Sequence, residues 1–468
     1  MRNALILLCL VPVLSFASGP AFAGEGPLLV GVARIPSDAL DSKKETLGGM
    51  GSGMMVVPGS WHHTAKGFVA DLDLLPDRGW NTAGTMDYQG RLQKFKLTLA
   101  PDEGAPGHEG QLDLHFEKSL LFTDAAGVPT TGLDPVSVRP AANGLPDLPV
   151  AANGHVSVDD EAVAPDHHGG YWVGEEYASY IYHYDAQGRM TGAIRPPEAF
   201  IPRRGGKEDF SANSPPAGMK ADKGNPDSGR QNNQGLEGLS VSADGRTLFA
   251  INQSALRQDL DPAQVKATRR NVRLLAYDIS GTPHLTHEYV IQLPLYQDEA
   301  ARNVAAQSEL LAIDNHRFLL LCRDSGGGQA SKRANSLYRK VELVDIAAAT
   351  DIAGRYDDAS GAVAPLGVLR TDVTPAAMRD FVDLNDNSQL NRFGLHNGAP
   401  DDSHDLYEKW ESLALAPDTV SGRFILLVGS DNDFITQHGQ MGGKPYADDT
   451  GANVDTLVMA WRVSLPRD

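Results

Sequence analysis

The sequence predicts a single all-β domain folded as a β-propeller of six or seven blades. Short runs of β-branched and aromatic residues, bounded by Gly, Pro, Asn and Asp, occur along the chain, whereas helical periodicity is scarce. One strand–turn–strand pattern that opens on a glutamate also returns four times. Repeated sheets without helices between them are typical of blades around a central channel, and a β-sandwich is the alternative arrangement.

The repeated pattern places a glutamate at the start of an alternating apolar strand, and a second strand with a polar or charged end follows after a turn. The four glutamates are Glu161, Glu237, Glu309 and Glu411. The fourth copy is longer and fits the pattern if residues 419–423 lengthen its turn. At ~40 to 60 residues per blade, a chain of this length allows six or seven blades. We expect the ring to close by pairing of an early strand, 28–33, with the last strand, 456–463.

Residues 1–23 have the features of a cleavable export signal. Arg2 forms a short positive region, Ala4 to Phe16 is apolar, and Ala21-Phe22-Ala23 is a small-residue cleavage site. This apolar run is too short to span ~30 Å of hydrocarbon, and no later stretch approaches the ~20 apolar residues of a membrane helix. We therefore expect cleavage after Ala23 and a soluble domain over residues 24–468, in the periplasm or secreted, without membrane insertion.

Cysteine content and charge narrow the class of protein further. Cys9 lies within the export signal, so Cys322 has no partner for an internal disulfide and is expected to be a small buried hydrophobe. The formal charge of −19 argues against nucleic acid as a partner. The excess of carboxylates either promotes solubility or includes groups that converge on a hard cation such as Ca²⁺. A propeller needs no partner chain for stability, so we expect a monomer.

Residues 202–234 form the one long stretch without periodicity. The segment contains Arg203-Arg204-Gly-Gly-Lys207, a Ser-Pro-Pro sequence and many Asn, Gly and Asp residues. It is predicted to be a long surface loop, either a solvated insertion or a lid that contacts substrate.

Glutamates at the same end of several innermost strands would surround one opening of the channel. Like charges at close range raise each other's pKa or recruit a cation, and Ca²⁺ accepts six to eight oxygen ligands. The predicted metal ligands are Glu161, Glu237, Glu309, Glu411, Asp431 and Asp433. The alternative is that each glutamate accepts backbone hydrogen bonds at the start of a blade and only orders the fold.

Basic residues near acidic ones are candidates for substrate binding. They are Arg78, Arg139, Arg323 and Lys409. An arginine fork matches the oxygens of a phosphate or carboxylate, whereas the alternative for each basic residue is an ordinary ion pair.

Several common catalytic motifs are absent from the sequence. It has no Gly-x-Ser-x-Gly elbow, no Gly-x-x-x-x-Gly-Lys-Ser/Thr loop, no His-Glu-x-x-His and no Arg-His-Gly. These absences argue against an α/β-hydrolase, a P-loop NTPase, a common zinc protease and phosphohistidine chemistry. The pairs His62-His63 and His167-His168 are poor joint ligands, because adjacent residues in a strand point to opposite faces.

Seven short motifs spread over most of the chain resemble those of one known family. They are the segments 75–81 (LPDRGWN), 131–135 (TGLDP), 174–177 (GEEY), 233–239 (NQGLEGL), 392–398 (RFGLHNG), 409–411 (KWE) and 430–434 (SDNDF). Together they resemble the phytase-like proteins, the "esterase-like activity of phytase" family. The resemblance implies a secreted or periplasmic propeller with acidic and arginine landmarks that hydrolyses phosphate or other esters.

The function predicted on this basis is metal-assisted hydrolysis of a small anionic phosphate ester by a phytase-like or phosphodiesterase-like enzyme. Ca²⁺ would neutralise charge and activate water, an arginine among those named above would bind the anion, and Glu175 or Glu237 would act as general base. One alternative is a non-catalytic, calcium-stabilised propeller that binds a ligand or a protein. The other is a carboxylic-ester or lactone hydrolase with its metal in the same axial place.

Overall fold

The structure, a computed structural model, describes residues 26–81, 84–102, 104, 111–166, 168–298 and 301–466. The predicted export signal, with its cleavage site after Ala23, lies outside these residues, as does His167. No helix within the described ranges has the length and apolar character required to cross a membrane.

Strands dominate the described chain. In chain order they are β1 Leu28–Ile35, β2 Gly53–Val56, β3 His62–Thr64, β4 Gly67–Leu75, β5 Arg91–Ala100, β6 Gln111–Leu121, β7 Ser137–Arg139, β8 Leu148–Val150, β9 Asp160–Pro165, β10 Tyr171–Glu175, β11 Ile181–Tyr184, β12 Met190–Ile194, β13 Arg203–Arg204, β14 Lys207–Glu208, β15 Leu236–Val241, β16 Thr247–Asn252, β17 Asn271–Asp278, β18 His284–Gln292, β19 Leu295–Gln297, β20 Arg302–Val304, β21 Ala306–Ala312, β22 Arg317–Arg323, β23 Arg339–Asp345, β24 Ala377–Asp383, β25 Trp410–Pro417, β26 Arg423–Ser430, β27 Gly439–Met441, β28 Lys444–Tyr446 and β29 Thr456–Ser464. The helices are α1 Val265–Thr268 and α2 Asn387–Leu390, with 3-10 turns at Arg257–Asp259, Pro365–Gly367 and Asn391–Phe393.

Five antiparallel sheets form the blades of a propeller. Blade 1 contains β2, β4, β5 and β6, with β3 beside β4, and blades 2, 3 and 4 contain β9–β12, β15–β18 and β21–β24. Blade 5 has the order β1-β29-β26-β25. The innermost strands β2, β9, β15, β21 and β25 each contact the innermost strands of both neighbouring blades, which closes the ring.

The all-β propeller is as predicted, but the count of six or seven blades was wrong. Long connections, such as residues 195–235 between blades 2 and 3 and residues 346–376 within blade 4, use chain that the estimate assigned to further blades. The predicted closure is confirmed, because β1 pairs with β29 and Leu28 lies opposite Arg462.

The apolar core lies between neighbouring blades, and successive residues of the inner strands are buried because each blade is covered on both faces. Leu72 and Leu97 of blade 1 pack in one cluster with Leu427 and Ala460 of blade 5. Cys322 is fully buried in the cluster between blades 3 and 4, as predicted for a small hydrophobe.

The axial channel has two different parts. Later segments of the five innermost strands line a narrow space of about 140 Å³, and their side chains are apolar except for Ser240 and Glu309. Where the innermost strands begin, the channel widens into a polar cavity of about 390 Å³. Polar chemistry is therefore concentrated at one end of the propeller axis.

Candidate functional site

A bulge near the start of the innermost strand directs one side chain per blade to the cavity end of the channel. The pairing register shifts by one residue at this point in blades 2, 3, 4 and 5. In blade 1, Gly51 and Gly53 both pair with Leu75, which leaves Ser52 at the corresponding position. The five equivalent residues are Ser52, Glu161, Glu237, Ser308 and Glu411.

The predicted ring of four glutamates is therefore corrected to three, because the structure does not bring Glu309 to this position. The shift in blade 4 falls on Ser308, so Glu309 is equivalent to Gly238 of blade 3. Glu309 borders the narrow apolar part of the channel, where burial raises the pKa of its carboxyl well above the ordinary value. Its Oε1 accepts hydrogen bonds from the amides of Leu239 at 3.2 Å and Leu310 at 2.7 Å.

The second strand of each blade adds a further polar residue at or just after its end. In blade order these residues are Asp77, Glu176, Gln253, Arg323 and Asp431. Four of them line the cavity directly, and Asp431 contacts Lys409 in its wall. The cavity is thus built from the ends of paired strands in all five blades.

Four carboxylates from blades 2 and 3 form what we call the acidic cluster: Asp159, Glu161, Glu176 and Glu237. Asp159, Glu161 and Glu176 offer oxygens that all lie within 4.8 Å of one another. Asp159 Oδ2 accepts a hydrogen bond from Arg78 Nη1 at 2.6 Å, and Glu176 Oε1 accepts one from the amide of Gly235 at 2.8 Å.

The acidic cluster is short of hydrogen-bond donors. Asp159 Oδ1, Glu176 Oε2 and Glu237 Oε2 are buried and have no partner among the described residues. Burial, followed by repulsion from neighbouring carboxylates, raises the pKa values of Glu161 and Glu237 well above normal and that of Glu176 to about 7. Converging carboxylate oxygens without donors suit a hard divalent cation, so these residues fit Ca²⁺.

A second group of carboxylates surrounds an ammonium, and we call it the lysine cluster: Asp77, Lys409, Asp431 and Asp433. Lys409 Nζ lies 2.8 Å from Asp431 Oδ2 and 2.7 Å from Asp433 Oδ1. Burial alone would lower the pKa of Lys409, but the surrounding carboxylates raise it well above normal. Burial also raises the pKa of Asp431 to about 7.

Three of the predicted metal ligands bind basic side chains instead. They are Glu411, Asp431 and Asp433. Glu411 Oε1 accepts a hydrogen bond from Arg323, and its Oε2 lies 3.5 Å from Lys409 Nζ. Burial acts to raise the pKa of Asp433, but Lys409 and the hydroxyl of Tyr407 lower it below normal. Basic side chains of the protein, Lys409 and Arg323, therefore supply the positive charge beside these three carboxylates.

The predicted substrate-binding residues divide into two sets. Arg78, Arg323 and Lys409 line the cavity. All three nitrogens of the Arg323 guanidinium are engaged, with Ser308, Asp324 and Glu411. Arg139 does not reach the cavity, because β7 lies in a surface ribbon where Nη1 binds Asp124 Oδ2 at 2.9 Å.

Glu175, predicted as a general base, is fully buried and is not part of the cavity wall. Its Oε2 accepts a hydrogen bond from the amide of Tyr177 at 2.8 Å, and its Oε1 accepts from the amides of Ala178 and Tyr180. Burial raises the pKa of Glu175 to about 8. Glu175 orders the turn that presents Glu176, and the structure leaves Glu237 as the predicted base that borders the cavity.

The end of the loop 202–234 forms part of the cavity wall through Asn232, Asn233 and Gln234. Asp134 holds the loop through the amide of Ala212, at 2.6 Å, and the hydroxyl of Ser211, at 2.7 Å. The loop therefore contributes to the site as a fixed wall.

The sequence-based prediction missed several residues of the cavity wall, among them Asp159, Glu176, Gln253, Arg269 and Glu408. Glu176 and Gln253 directly follow the second strands of blades 2 and 3, the position that Asp431 occupies in blade 5. Glu176 and Gln253 could therefore have been found in the sequence by comparing the residues that follow the second strand of each repeat. Arg269 follows α1 in a connection with no repeat, so the pattern contained no signal for it.

Comparison with known proteins agrees with the motifs. The phytase-like family described as "esterase-like activity of phytase" matches residues 74–434. An uncharacterized secreted protein of Arthroderma benhamiae is 41% identical over 449 residues, which cover 88% of this chain and 87% of the relative. The PQQ-bound aldose sugar dehydrogenase of Streptomyces coelicolor covers 91% of this chain and 99% of its own, at 10% identity and a TM-score of 0.25, too low to carry an argument. The family match includes every residue of the acidic and lysine clusters.

Proposed function

This chain belongs to the "esterase-like activity of phytase" family, and we propose that it is an exported hydrolase of ester bonds, with phosphate esters as its substrates, that works with bound Ca²⁺. The observation that carries the proposal is the acidic cluster, in which buried carboxylate oxygens without donors converge beside a cavity. Uncompensated buried carboxylates are costly for a fold, and a cation offsets that cost.

Asp159, Glu161 and Glu176 are the residues proposed to hold the cation. A divalent cation supplies Lewis acidity, which polarises an ester oxygen and makes water a better nucleophile at neutral pH. Arg78 fixes the orientation of Asp159 through their 2.6 Å contact, and the amide of Gly235 fixes Glu176. The chain thus orients two of the three carboxylates before any ligand arrives.

Glu237 is the proposed proton acceptor. Gln253 Nε2 donates a hydrogen bond to Glu237 Oε1 at 2.7 Å, which orients the carboxylate and leaves Oε2 without a donor among the described residues. Burial and then the neighbouring carboxylates Glu176 and Glu411 raise the pKa of Glu237, which favours proton uptake.

Arg323 and Lys409 line another side of the same cavity, where each is paired with carboxylates. Their acidic partners Glu411, Asp431 and Asp433 hold the two cationic groups in place, so little reorganisation is needed when negative charge develops on a leaving oxygen. Export is supported by the signal features of residues 1–23 and by the relative described as a secreted protein.

Hydrolysis of p-nitrophenyl esters by the purified protein, with Ca²⁺ and with excess chelator, tests the proposal. We expect turnover that requires Ca²⁺ and that falls by at least ~100-fold in Glu237→Gln, in the range expected for loss of a general base. Glu309→Gln is the matched control, because it changes a buried glutamate of an innermost strand that lies outside the acidic cluster. Full activity in excess chelator would remove the cation from the proposal.

One observation favours the alternative that the protein is a non-catalytic propeller. Arg78, Arg323 and Lys409 already have acidic partners, so they are less available to bind a substrate. Under that alternative the cation only stabilises the propeller. Calcium would then raise the melting temperature in the wild type and less in Glu161→Gln, with no turnover of any ester.

A further inference from the structure

The charge of the cavity wall limits which anions can enter. Among the described residues of the wall, eight are carboxylates and four are basic. The acids are Asp77, Asp159, Glu161, Glu176, Glu237, Glu408, Glu411 and Asp433, and the bases are Arg78, Arg269, Arg323 and Lys409. When all of these groups are ionised, a divalent cation would offset two of the four excess negative charges, so the loaded cavity would still be acidic.

Three of the four basic residues are already neutralised by ion pairs. Arg78 pairs with Asp159, Arg323 with Glu411, and Lys409 with Asp431 and Asp433. The Arg78–Asp159 and Arg323–Glu411 pairs are buried and the pairs of Lys409 are partly buried, and separating a buried pair is costly. An incoming anion therefore gains little from these three groups.

Arg269 differs from the other basic residues of the cavity. No carboxylate of the described chain lies within ion-pairing distance of it, and its Nε is buried without a hydrogen-bond partner. Arg269 follows α1, and its backbone carbonyl accepts a hydrogen bond from the amide of Ala255 at 3.1 Å, which ties it to the segment after β16. The side chain is half-buried, and its guanidinium is an uncommitted positive charge in the cavity wall.

We propose that the cavity selects esters that carry a single negative charge, such as phosphate diesters, and that Arg269 recognises that charge. One guanidinium can neutralise one anionic charge and can bind two oxygens of a tetrahedral phosphate or sulfonate with its fork. A second negative charge on the ligand meets the remaining carboxylates without a counter-charge. Dianionic monoesters and polyphosphates such as phytate are disfavoured for this reason.

This inference rests on the proposed function for the identity of the reacting ester, but its test uses binding as well as turnover. Benzenesulfonate and phenylphosphonate have similar shapes and differ by one negative charge at about pH 8. Isothermal titration of the calcium-loaded protein should show benzenesulfonate binding at least ~10-fold tighter than phenylphosphonate, a difference of about 1.4 kcal/mol. Equal or tighter binding of phenylphosphonate, or no binding of either anion, would overturn the inference.

Arg269→Gln tests the residue assignment, and Arg270→Gln is the matched control. Arg270 is the next residue in the chain, is not part of the cavity wall, and donates from Nε to the carbonyl of Leu293 at 3.2 Å. We expect Arg269→Gln to weaken benzenesulfonate binding by at least ~10-fold, with Arg270→Gln within about twofold of the wild type. Unchanged binding in Arg269→Gln would overturn the role of Arg269.

Kinetics separate a failure of this inference from a failure of the proposed function. Arg269→Gln should raise KM for bis(p-nitrophenyl) phosphate, which has one charge, and leave kcat/KM for neutral p-nitrophenyl acetate within about twofold. A wild type that prefers p-nitrophenyl phosphate to the diester would overturn the inference while the hydrolase proposal stands. If no ester is hydrolysed, the hydrolase proposal fails and the two titrations still decide the inference.

Discussion

The ammonium of Lys409 lies 2.7 Å from Oδ1 of Asp433 and 2.8 Å from Oδ2 of Asp431, so it neutralises acids whose oxygens are close enough together to hold a metal ion. Asp77 completes this carboxylate group. In the acidic cluster, the described residues supply one paired cation, Arg78, which binds Asp159 at 2.6 Å and forms no ion pair with Glu161, Glu176 or Glu237. Both clusters consist of carboxylates, but the chain places more positive charge beside the lysine cluster, which leads to a prediction for Lys409.

Lys409→Met should strongly destabilise the protein in chelator. Addition of Ca²⁺ should restore much of the lost stability. Loss of one partner from a buried ion pair costs about 3–5 kcal/mol, because the other charge is left uncompensated. The vacated lysine cluster would then accept one additional Ca²⁺ per chain. Denaturant unfolding with and without Ca²⁺, together with calcium content by mass spectrometry, measures both effects. A calcium content equal to that of the wild type would contradict the prediction, and Arg139→Gln, which removes an ion pair outside the cavity, is the control.

Stabilisation by calcium should increase with pH. Burial raises the pKa of both Glu176 and Asp431 to about 7, above the ordinary carboxyl value of roughly 4. The folded apo protein then binds protons more tightly than the unfolded chain, so the stability from these groups is present below about pH 4 and is lost as pH rises through about 7. The melting temperature in chelator should fall between about pH 5 and 8, and the gain on adding Ca²⁺ should grow. An equal rise in melting temperature on adding Ca²⁺ at about pH 5 and about pH 8 would contradict the acidic cluster as the calcium site.

Much of the fold could be predicted, because strand composition and the repeated pattern are local features. The ring closure between β1 and β29 followed from the same reasoning and is confirmed. The predicted number of blades was wrong because the pattern of the strands does not show how much of the chain lies in the connections between them. Ser308 and Glu309 show why the site residues could not all be predicted from the sequence. The position of a bulge depends on how two strands pair, and a shift of one residue in that pairing places Ser308 instead of Glu309 at the cavity end of the channel.

Glu309→Gln should stabilise the protein at high pH and leave hydrolysis unchanged. Burial raises the pKa of Glu309, so the wild type loses stability as pH rises through that folded pKa, whereas glutamine does not titrate. The glutamine oxygen can still accept from the amides of Leu239 and Leu310. The gain should reach at least about 1 kcal/mol at about pH 8, since one pKa unit corresponds to about 1.4 kcal/mol, and it should vanish at about pH 4. Denaturant unfolding at the two pH values measures it, and a stability difference independent of pH would contradict the prediction.

Asp134→Ala should release the loop 202–234 from the cavity wall. The Asp134 carboxylate accepts hydrogen bonds from the amides of Ala212 and Ser214 and from the hydroxyl of Ser211, and loss of the carboxylate leaves these donors without their acceptor. The wall formed by Asn232, Asn233 and Gln234 would lose its fixed position, so KM should rise by several-fold. Limited proteolysis should cut the variant faster within residues 215–225, because local opening exposes loop backbone to the protease. Unchanged KM and unchanged cleavage would show that the Arg230 side chain, which donates to the carbonyls of Tyr177 and Phe210, holds the loop by itself.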